Sequence, residues 1–425
     1  MPPEDPYPFR CPNAGEGDMD HVLVRVLDPE VVTWPHETET NPFLAYRSLF
    51  HSYHLARAGG MTDKSYRRLV LDLDASVAEI DCRSFRVTPF RRAEKLSSRL
   101  GFNAMGGVWI KDETGNVSGS HKARHLMAIA IHLRVAEHLG LTQETSPPML
   151  AIASCGNAAI AGAVVARAMG RELEVFVPTD APIPNITRLE ELGARITVCP
   201  REPAIRGDPT YHRLRQALAA GALPFTCQGN QNGLVIEGGE TLGWEMSIEA
   251  PHIDRVVVQV GGGALASSIV HAFREAAQLG SISRPPRIDT VQTRSAFPLK
   301  RAYERVVARV RAGQAPIDVL RYAATHRSEF MWPWEETPRS SAHGILDDET
   351  YDWLAIVTGM ASTGGRALTV GEDLLEEAKI VGHDTTGIDV DHTGSAGLAG
   401  LLALAREGAL RPDENVAVLF TAAQR

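Results

Sequence analysis

The chain has 425 residues and a mass of 46.1 kDa, with 44% apolar and 22% charged residues. That composition excludes disorder as the main state, and the length implies two domains. A net charge of −9 without a long Lys/Arg block excludes the usual nucleic-acid footprint. No apolar run reaches the roughly 18 residues of a membrane span.

The first part, to about Asn103, is irregular and rich in Pro, Asp and aromatic residues, with helical stretches expected around Phe43–Ala58 and Asp63–Ile80. Met1-Pro2-Pro3-Glu4-Asp5 lacks the basic start and apolar core of a signal peptide. Five cysteines, odd in number and without a CxxC, fit a reducing, cytoplasmic setting with no disulfide framework or zinc site. From Gly107 onward, short β-branched runs alternate with amphipathic helical runs, the pattern of an α/β fold with parallel sheets. The expected strands are Val108–Lys111, Leu150–Ser154, Leu173–Pro178, Arg195–Cys199, Pro224–Cys227, Arg255–Val260, Ile288–Thr293, Gly387–Asp391 and Val416–Thr421. Helices are expected over Lys122–His138, Asn157–Met169, Tyr211–Ala220 and Ala264–Leu279. In the first of these, Leu126, Ile129, Ala130 and Leu133 form one apolar face. The stretch 281–343 breaks the rhythm. It reads equally as a cover over a site, a subunit contact, or a surface elaboration holding the aromatic cluster Phe330–Trp334.

Four segments follow a strand and open a helix, where open α/β sheets bind ligands. In Gly115–Arg124, a Gly/Ser-rich turn leads into a helix that begins at Lys122. The positive end of a helix dipole disfavours an ammonium there and favours the neutral amine that a Schiff-base nucleophile needs. An ordinary solvated lysine is the simpler alternative. In Ser154-Cys155-Gly156-Asn157-Ala158, small residues around one amide let backbone N–H groups face an anion, although a plain helix cap explains the same residues. Gly261-Gly262-Gly263-Ala264 follows the strand Val256–Val260 and forms a phosphate cradle of N–H groups at a helix start. The same run fits a loose GxGxxA dinucleotide pattern, but the next strand ends in Thr293-Arg294-Ser295, without the acidic residue that holds a ribose. Last, Asp391-His392-Thr393-Gly394-Ser395 starts a helix with a cluster of hydroxyls.

In this order and combination, the four segments resemble the tryptophan synthase β-like (fold type II) superfamily of pyridoxal-phosphate (PLP) enzymes. Threonine synthase, serine/threonine dehydratases and cysteine synthase belong to it. Val87-Thr88-Pro89-Phe90, Asn185–Ala194 and Gly233–Trp244 extend the likeness, which runs from about Phe85 to the C-terminus. The resemblance implies two three-layer α/β domains with parallel twisted sheets and PLP in the cleft between them. The small domain would be 116–228, and the large one would join 1–115 to 229–425.

The resemblance also implies roles. Lys122 forms the Schiff base with PLP and shuttles protons. Asn157 bonds the cofactor's 3′-oxygen. Ser154, Cys155, Gly156, Asn157 and Ala158 hold the substrate carboxylate. Gly261, Gly262, Gly263 and Ala264 cradle the phosphate. Thr393 faces the pyridine nitrogen, with Asp391 as a rival two residues away. Arginines for a substrate phosphate, as a threonine synthase needs, could be drawn from Arg124, Arg188, Arg294 or Arg366, and a free amino acid with no phosphate is equally allowed.

Ala158-Ala159 departs from the Asn-His or Asn-Thr of the relatives and removes a residue that orients substrate. Phe9–Ala14 faintly resembles a degenerate zinc ribbon without its partner cysteine, so no metal is expected. The function implied is β-elimination or β/γ-replacement on a small α-amino acid, usually by a homodimer. A PLP-binding regulatory pseudoenzyme and an NAD(P)-dependent oxidoreductase are the alternatives.

Overall fold

The computed structural model describes residues 5–15, 17–19, 21–36, 38–142, 147–201 and 207–424. The chain divides into two compact units. The first comprises Met1–Pro12, Val22–Val87 and Asn116–Thr241, and the second Asn13–His21, Thr88–Gly115 and Leu242–Arg425. The last boundary falls inside the helix Leu234–Glu249. Among the described residues, no helix is long and apolar enough to cross a membrane.

The first unit holds a parallel sheet of four strands among the described residues: β3 (Leu150–Ala153), β4 (Leu173–Pro178), β5 (Arg195–Cys199) and β6 (Leu223–Pro224). They lie in the order β5-β4-β3-β6, so successive connections leave β3 in opposite directions and its carboxyl end is a switch point. Ala151, Phe176, Cys199 and Leu214 form a buried cluster on the sheet. The strand expected at Pro224–Cys227 is instead Leu223–Pro224, because β6 pairs with β3 only at Leu150↔Leu223 and Ala151↔Pro224 before the chain turns away.

The helix Lys122–His138 departs from the one-faced expectation, since every residue from Ala123 to Leu133 is buried. Helices His51–Ala58 and Asp63–Asp81, from the N-terminal region, cover its outer face. Hydrogen bonds attach that region further. The His51 N–H donates to Glu237 Oε2 at 2.9 Å, the Gly233 N–H to the Phe9 carbonyl at 2.8 Å, and the Ser118 N–H to Asp81 Oδ2 at 2.8 Å. The expectation groups 1–115 with 229–425; by its contacts Val22–Val87 packs with Asn116–Thr241, which gives the all-round apolar helix a second covering layer.

The second unit holds six strands among the described residues: β1 (Phe90–Arg92), β2 (Gly107–Asp112), β7 (Arg255–Gln259), β8 (Arg287–Thr293), β9 (Ala367–Val370) and β10 (Asn415–Phe420). The order is β1-β2-β10-β7-β8-β9, parallel except for β1 against β2. The strands β7 and β10 are buried at every position, as central parallel strands covered on both faces must be. Val257, Val291, Val416 and Val418 pack there with Leu398, Leu401 and Leu402 of the helix His392–Arg406.

The strand expected at Gly387–Asp391 is absent. Gly387 ends the helix Glu372–Thr386 with φ +74°, and Asp391 already caps the next helix, which leaves room only for a single bridge, Val390↔Ala423. Within 281–343 lie β8 and the helices Pro298–Arg311 and Pro316–Thr325. There the Arg301 guanidinium stacks over Trp332 at 3.7 Å, while Phe330 and Met331 are buried.

Candidate active site

In the first unit, β3 delivers the turn Ser154–Gly156 to the switch point, and the helix Asn157–Ala168 begins directly after it. Ser154, Cys155, Gly156, Asn157 and Ala158 are all half-buried, as is Ala153 at the end of β3, whereas Ile152 before them and Ala159 after them are buried. The Ser154 N–H donates to the Phe176 carbonyl at 3.1 Å, and the Gly156 N–H to Ser154 Oγ at 3.3 Å. Asn185 Nδ2 donates to the Cys155 carbonyl at 2.9 Å and holds the turn from its open side. The N–H groups of Asn157, Ala158 and Ala159 donate to no group among the described residues. Three N–H groups at the positive end of a helix suit a carboxylate.

Lys122 is the first residue of its helix and is half-buried between buried His121 and Ala123. The turn before it is tightly specified. Ser118 and Gly119 both adopt left-handed conformations, and Asn116 Nδ2 donates to the Ser120 carbonyl at 3.1 Å. One turn further on, His125 is fully buried and lies edge-on to His121, with 5.5 Å between ring centres. Its Nδ1–H donates to the Val235 carbonyl at 2.7 Å, which fixes the tautomer. Burial, reinforced by the charge of Lys122, pushes its pKa down to about 3, so the ring is neutral at physiological pH.

In the second unit, β7 ends at Gln259 and Gly261–Gly263 leads into the helix Ala264–Gln278. Gly263 caps that helix at φ +105°, a conformation closed to residues with a side chain at ordinary cost. The N–H groups of Gly262, Gly263, Ala264 and Leu265 donate to no group among the described residues. Four such N–H groups after a central strand fit the phosphate of PLP.

Thr393 lies at the same end of this sheet. It is buried, and its Oγ1 accepts the Gly344 N–H at 3.1 Å, so its own proton stays available to an acceptor. Gln259 Nε2 ties the strand end to the Thr393 carbonyl at 3.1 Å. The carboxylate of Asp391 caps the helix by accepting the Gly394 N–H, so the rival for the ring nitrogen is engaged in holding the helix.

Sequence reasoning missed Thr421. It follows β10 directly, is buried, and accepts Gln259 Nε2 at 2.9 Å through its hydroxyl. A hydroxyl at the carboxyl end of a central strand was the available signal. Of the four arginines considered for a substrate phosphate, Arg124 is buried and donates to Thr241 Oγ1 at 2.9 Å. Arg188 pairs with Glu191 at 3.0 Å and Arg366 with Glu407 at 2.7 Å. Arg294 is exposed beyond the end of β8.

Among curated proteins, the chain is similar to threonine synthase of Methanocaldococcus jannaschii, at 24% identity over 79% of this chain and 73% of that one. It is also similar to L-threonine ammonia-lyase of Thermotoga maritima, at 29% identity over 45% of each chain. Among solved structures, the processed form of threonine deaminase isoform 2 from Solanum lycopersicum superposes with a TM-score of 0.60. That match has 18% identity and covers 95% of this chain and 96% of the other, a likeness of fold. The fold is therefore that of the two-domain α/β type II enzymes. With residues 83–422 matching the family of pyridoxal-phosphate dependent enzymes, the chain belongs to that family, and pyridoxal 5′-phosphate is its cofactor.

Proposed function

We propose that the protein catalyses β-elimination or β/γ-replacement on a small α-amino acid, in the manner of a threonine synthase or a serine/threonine ammonia-lyase. The observation that carries this reading is the half-buried Lys122 at a helix start, in the same unit as the turn of open N–H groups at Asn157–Ala159. The oxidoreductase reading loses its ground with the family assignment.

When bound, PLP supplies the electron sink for negative charge at the substrate Cα. The rest falls to the chain's own groups. Lys122 Nζ is the nucleophile that holds the cofactor and then the base that takes the Cα proton. The N–H groups of Asn157, Ala158 and Ala159 fix the substrate carboxylate, which leaves the side chain as the variable part. The Asn157 amide would donate to the cofactor's 3′-oxygen, and the N–H groups of Gly262–Leu265 would hold its phosphate.

Thr393 would offer a hydroxyl proton to the ring nitrogen without the charge of a carboxylate. Less electron withdrawal into the ring favours loss of a leaving group from Cβ over transamination. With Ala158-Ala159 in place of an orienting polar side chain, substrate discrimination rests on the remaining turn. The family's habit points to a homodimer and the scattered cysteines to the cytoplasm, which sedimentation and fractionation test.

The visible spectrum of the purified protein, before and after borohydride and against Lys122→Ala, tests the proposal. A yellow band that borohydride removes and the variant lacks supports Lys122. Serine, threonine and their O-substituted forms are then screened for 2-oxo acid or exchanged product. Inversion at Cα with the side chain intact would overturn the elimination reading. No band after addition of PLP would overturn the role of Lys122.

A further inference from the structure

The segment Ala342–Asp352 lies against the triple glycine, within the same unit. Thr350 Oγ1 donates to the Gly261 carbonyl at 3.1 Å, the Asp352 N–H to the Gly262 carbonyl at 3.2 Å, and the Gly344 N–H to Thr393 Oγ1 at 3.1 Å. These three bonds pin both ends of the segment and bring a half-buried carboxylate, Asp347, onto the loop. A Cβ on Gly261 would collide with Asp347 Oδ2, and a Cβ on Gly262 would come within 3.3 Å of Oδ1. Both carboxylate oxygens therefore pack on the two glycines whose neighbouring N–H groups are open.

The loop thus carries two opposed electrostatic features. Its N–H groups and helix dipole attract an anion. The Asp347 carboxylate repels the same anion, and at half burial the repulsion is incompletely screened. Shape alone does not require the charge, since an amide or a small hydroxyl side chain would fit the same position.

We propose that Asp347 sets the phosphate affinity of the Gly261–Ala264 loop, holding it below what the N–H groups would otherwise give, and so governs how readily the phosphorylated cofactor exchanges. This rests on the reading that the loop binds the PLP phosphate. The consequence is selective, because a ligand without a phosphate feels little of the Asp347 charge.

The test is titration of the full-length protein, freed of cofactor by dialysis against cysteine, with PLP and separately with pyridoxal, which lacks the phosphate. Absorbance reports binding. Asp347→Asn keeps the shape and removes the charge, and Asp347→Ser provides a second neutral variant if the first folds poorly. The expected result is a PLP Kd lowered roughly tenfold in the neutral variants, with pyridoxal affinity unchanged. The advantage should shrink as NaCl rises from low to molar concentration.

PLP affinity unchanged in variants that fold, or PLP and pyridoxal tightened alike, would overturn the role of Asp347 while leaving the cradle intact. A wild-type protein that binds PLP no better than pyridoxal would overturn the cradle itself, and the inference with it.

Discussion

Replacing Gly263 by alanine tests whether the loop's shape or merely its flexibility matters. At φ +105°, a residue with a Cβ sits in a left-handed conformation that costs about 1–2 kcal/mol. The new methyl would lie 2.9 Å from Thr350 Cγ2, 3.1 Å from Ile356 Cδ1 and 3.2 Å from Asp352 Cβ. Overpacking of that kind adds about 1–3 kcal/mol, for a total of about 2–5 kcal/mol. Gly280, just past the other end of the same helix, is the internal control. Its φ is +77° with nothing within 4 Å of a built Cβ, so Gly280→Ala bears only the backbone cost of about 1–2 kcal/mol.

Urea unfolding followed by circular dichroism gives both stabilities, and PLP titration gives both affinities. Gly263→Ala should be the less stable variant. It should also bind PLP at least roughly tenfold more weakly, since tilting one N–H away from a charged acceptor loses about 1.5–3 kcal/mol. Gly280→Ala should bind like the wild type. Equal stability and equal affinity for the two variants would refute the packing argument and the cradle together.

Lys111→Met should destabilise the protein by about 3–5 kcal/mol in urea, because Lys111 is fully buried and its ammonium bonds Glu245 at 2.5 Å and the Thr88 carbonyl at 2.7 Å. The variant leaves Glu245 charged in the interior, and Lys111→Met/Glu245→Gln should recover much of the loss. Buried His125 and His132 have pKa values lowered to about 3 and about 4, mainly by desolvation. Both are neutral when folded but bind a proton when unfolded below about pH 6.5. Stability should therefore fall as pH drops from 6.5 toward 4, by at most roughly 1.4 kcal/mol per pH unit for each ring, and His125→Asn should flatten that slope in pH-dependent urea melts. Asn185→Ala removes the bond to the Cys155 carbonyl and should raise KM several-fold with little change in kcat, as loss of about 1 kcal/mol of positioning predicts. Thr393→Val and Thr421→Val distinguish the two hydroxyls by the absorption maximum of the bound cofactor. A shift in the second alone would move the ring-nitrogen role to Thr421.

The alternation of β-branched runs with amphipathic runs made most of both sheets legible in the sequence. Leu173–Pro178 and Arg195–Cys199 fall where the residues indicated, and Arg255–Gln259 within a residue. Strands β1 and β9 escaped notice because three or four residues at a sheet edge carry no usable period. Ile388-Asp389-Val390-Asp391 alternates like a strand, yet helix caps on both sides consume it, and local pattern cannot weigh caps against pairing. The grouping of residues 22–87 with residues 116–241 depends on which helix covers the outer face of Lys122–His138, a long-range fact. The four motif turns were readable because each joins a strand to a helix with small residues. Thr421 carried a weaker signal, a hydroxyl at a strand end that opens no helix, and Asp347 carried none, since it acquires its place only through folding.

The position of β10 bears on how the chain is made. It lies between β2 and β7, so the strand nearest the C-terminus in sequence sits near the middle of its sheet. During synthesis the first unit has all its segments once Thr241 has left the ribosome. The second must hold β2 and β7 without their shared neighbour until residues 415–420 emerge. For that interval two strand edges are exposed, and they are the edges that later carry the glycine loop and the buried Lys111. A premature stop before Asn415 would therefore remove an inner strand of the sheet, and the truncated product would be a client for chaperones or proteases.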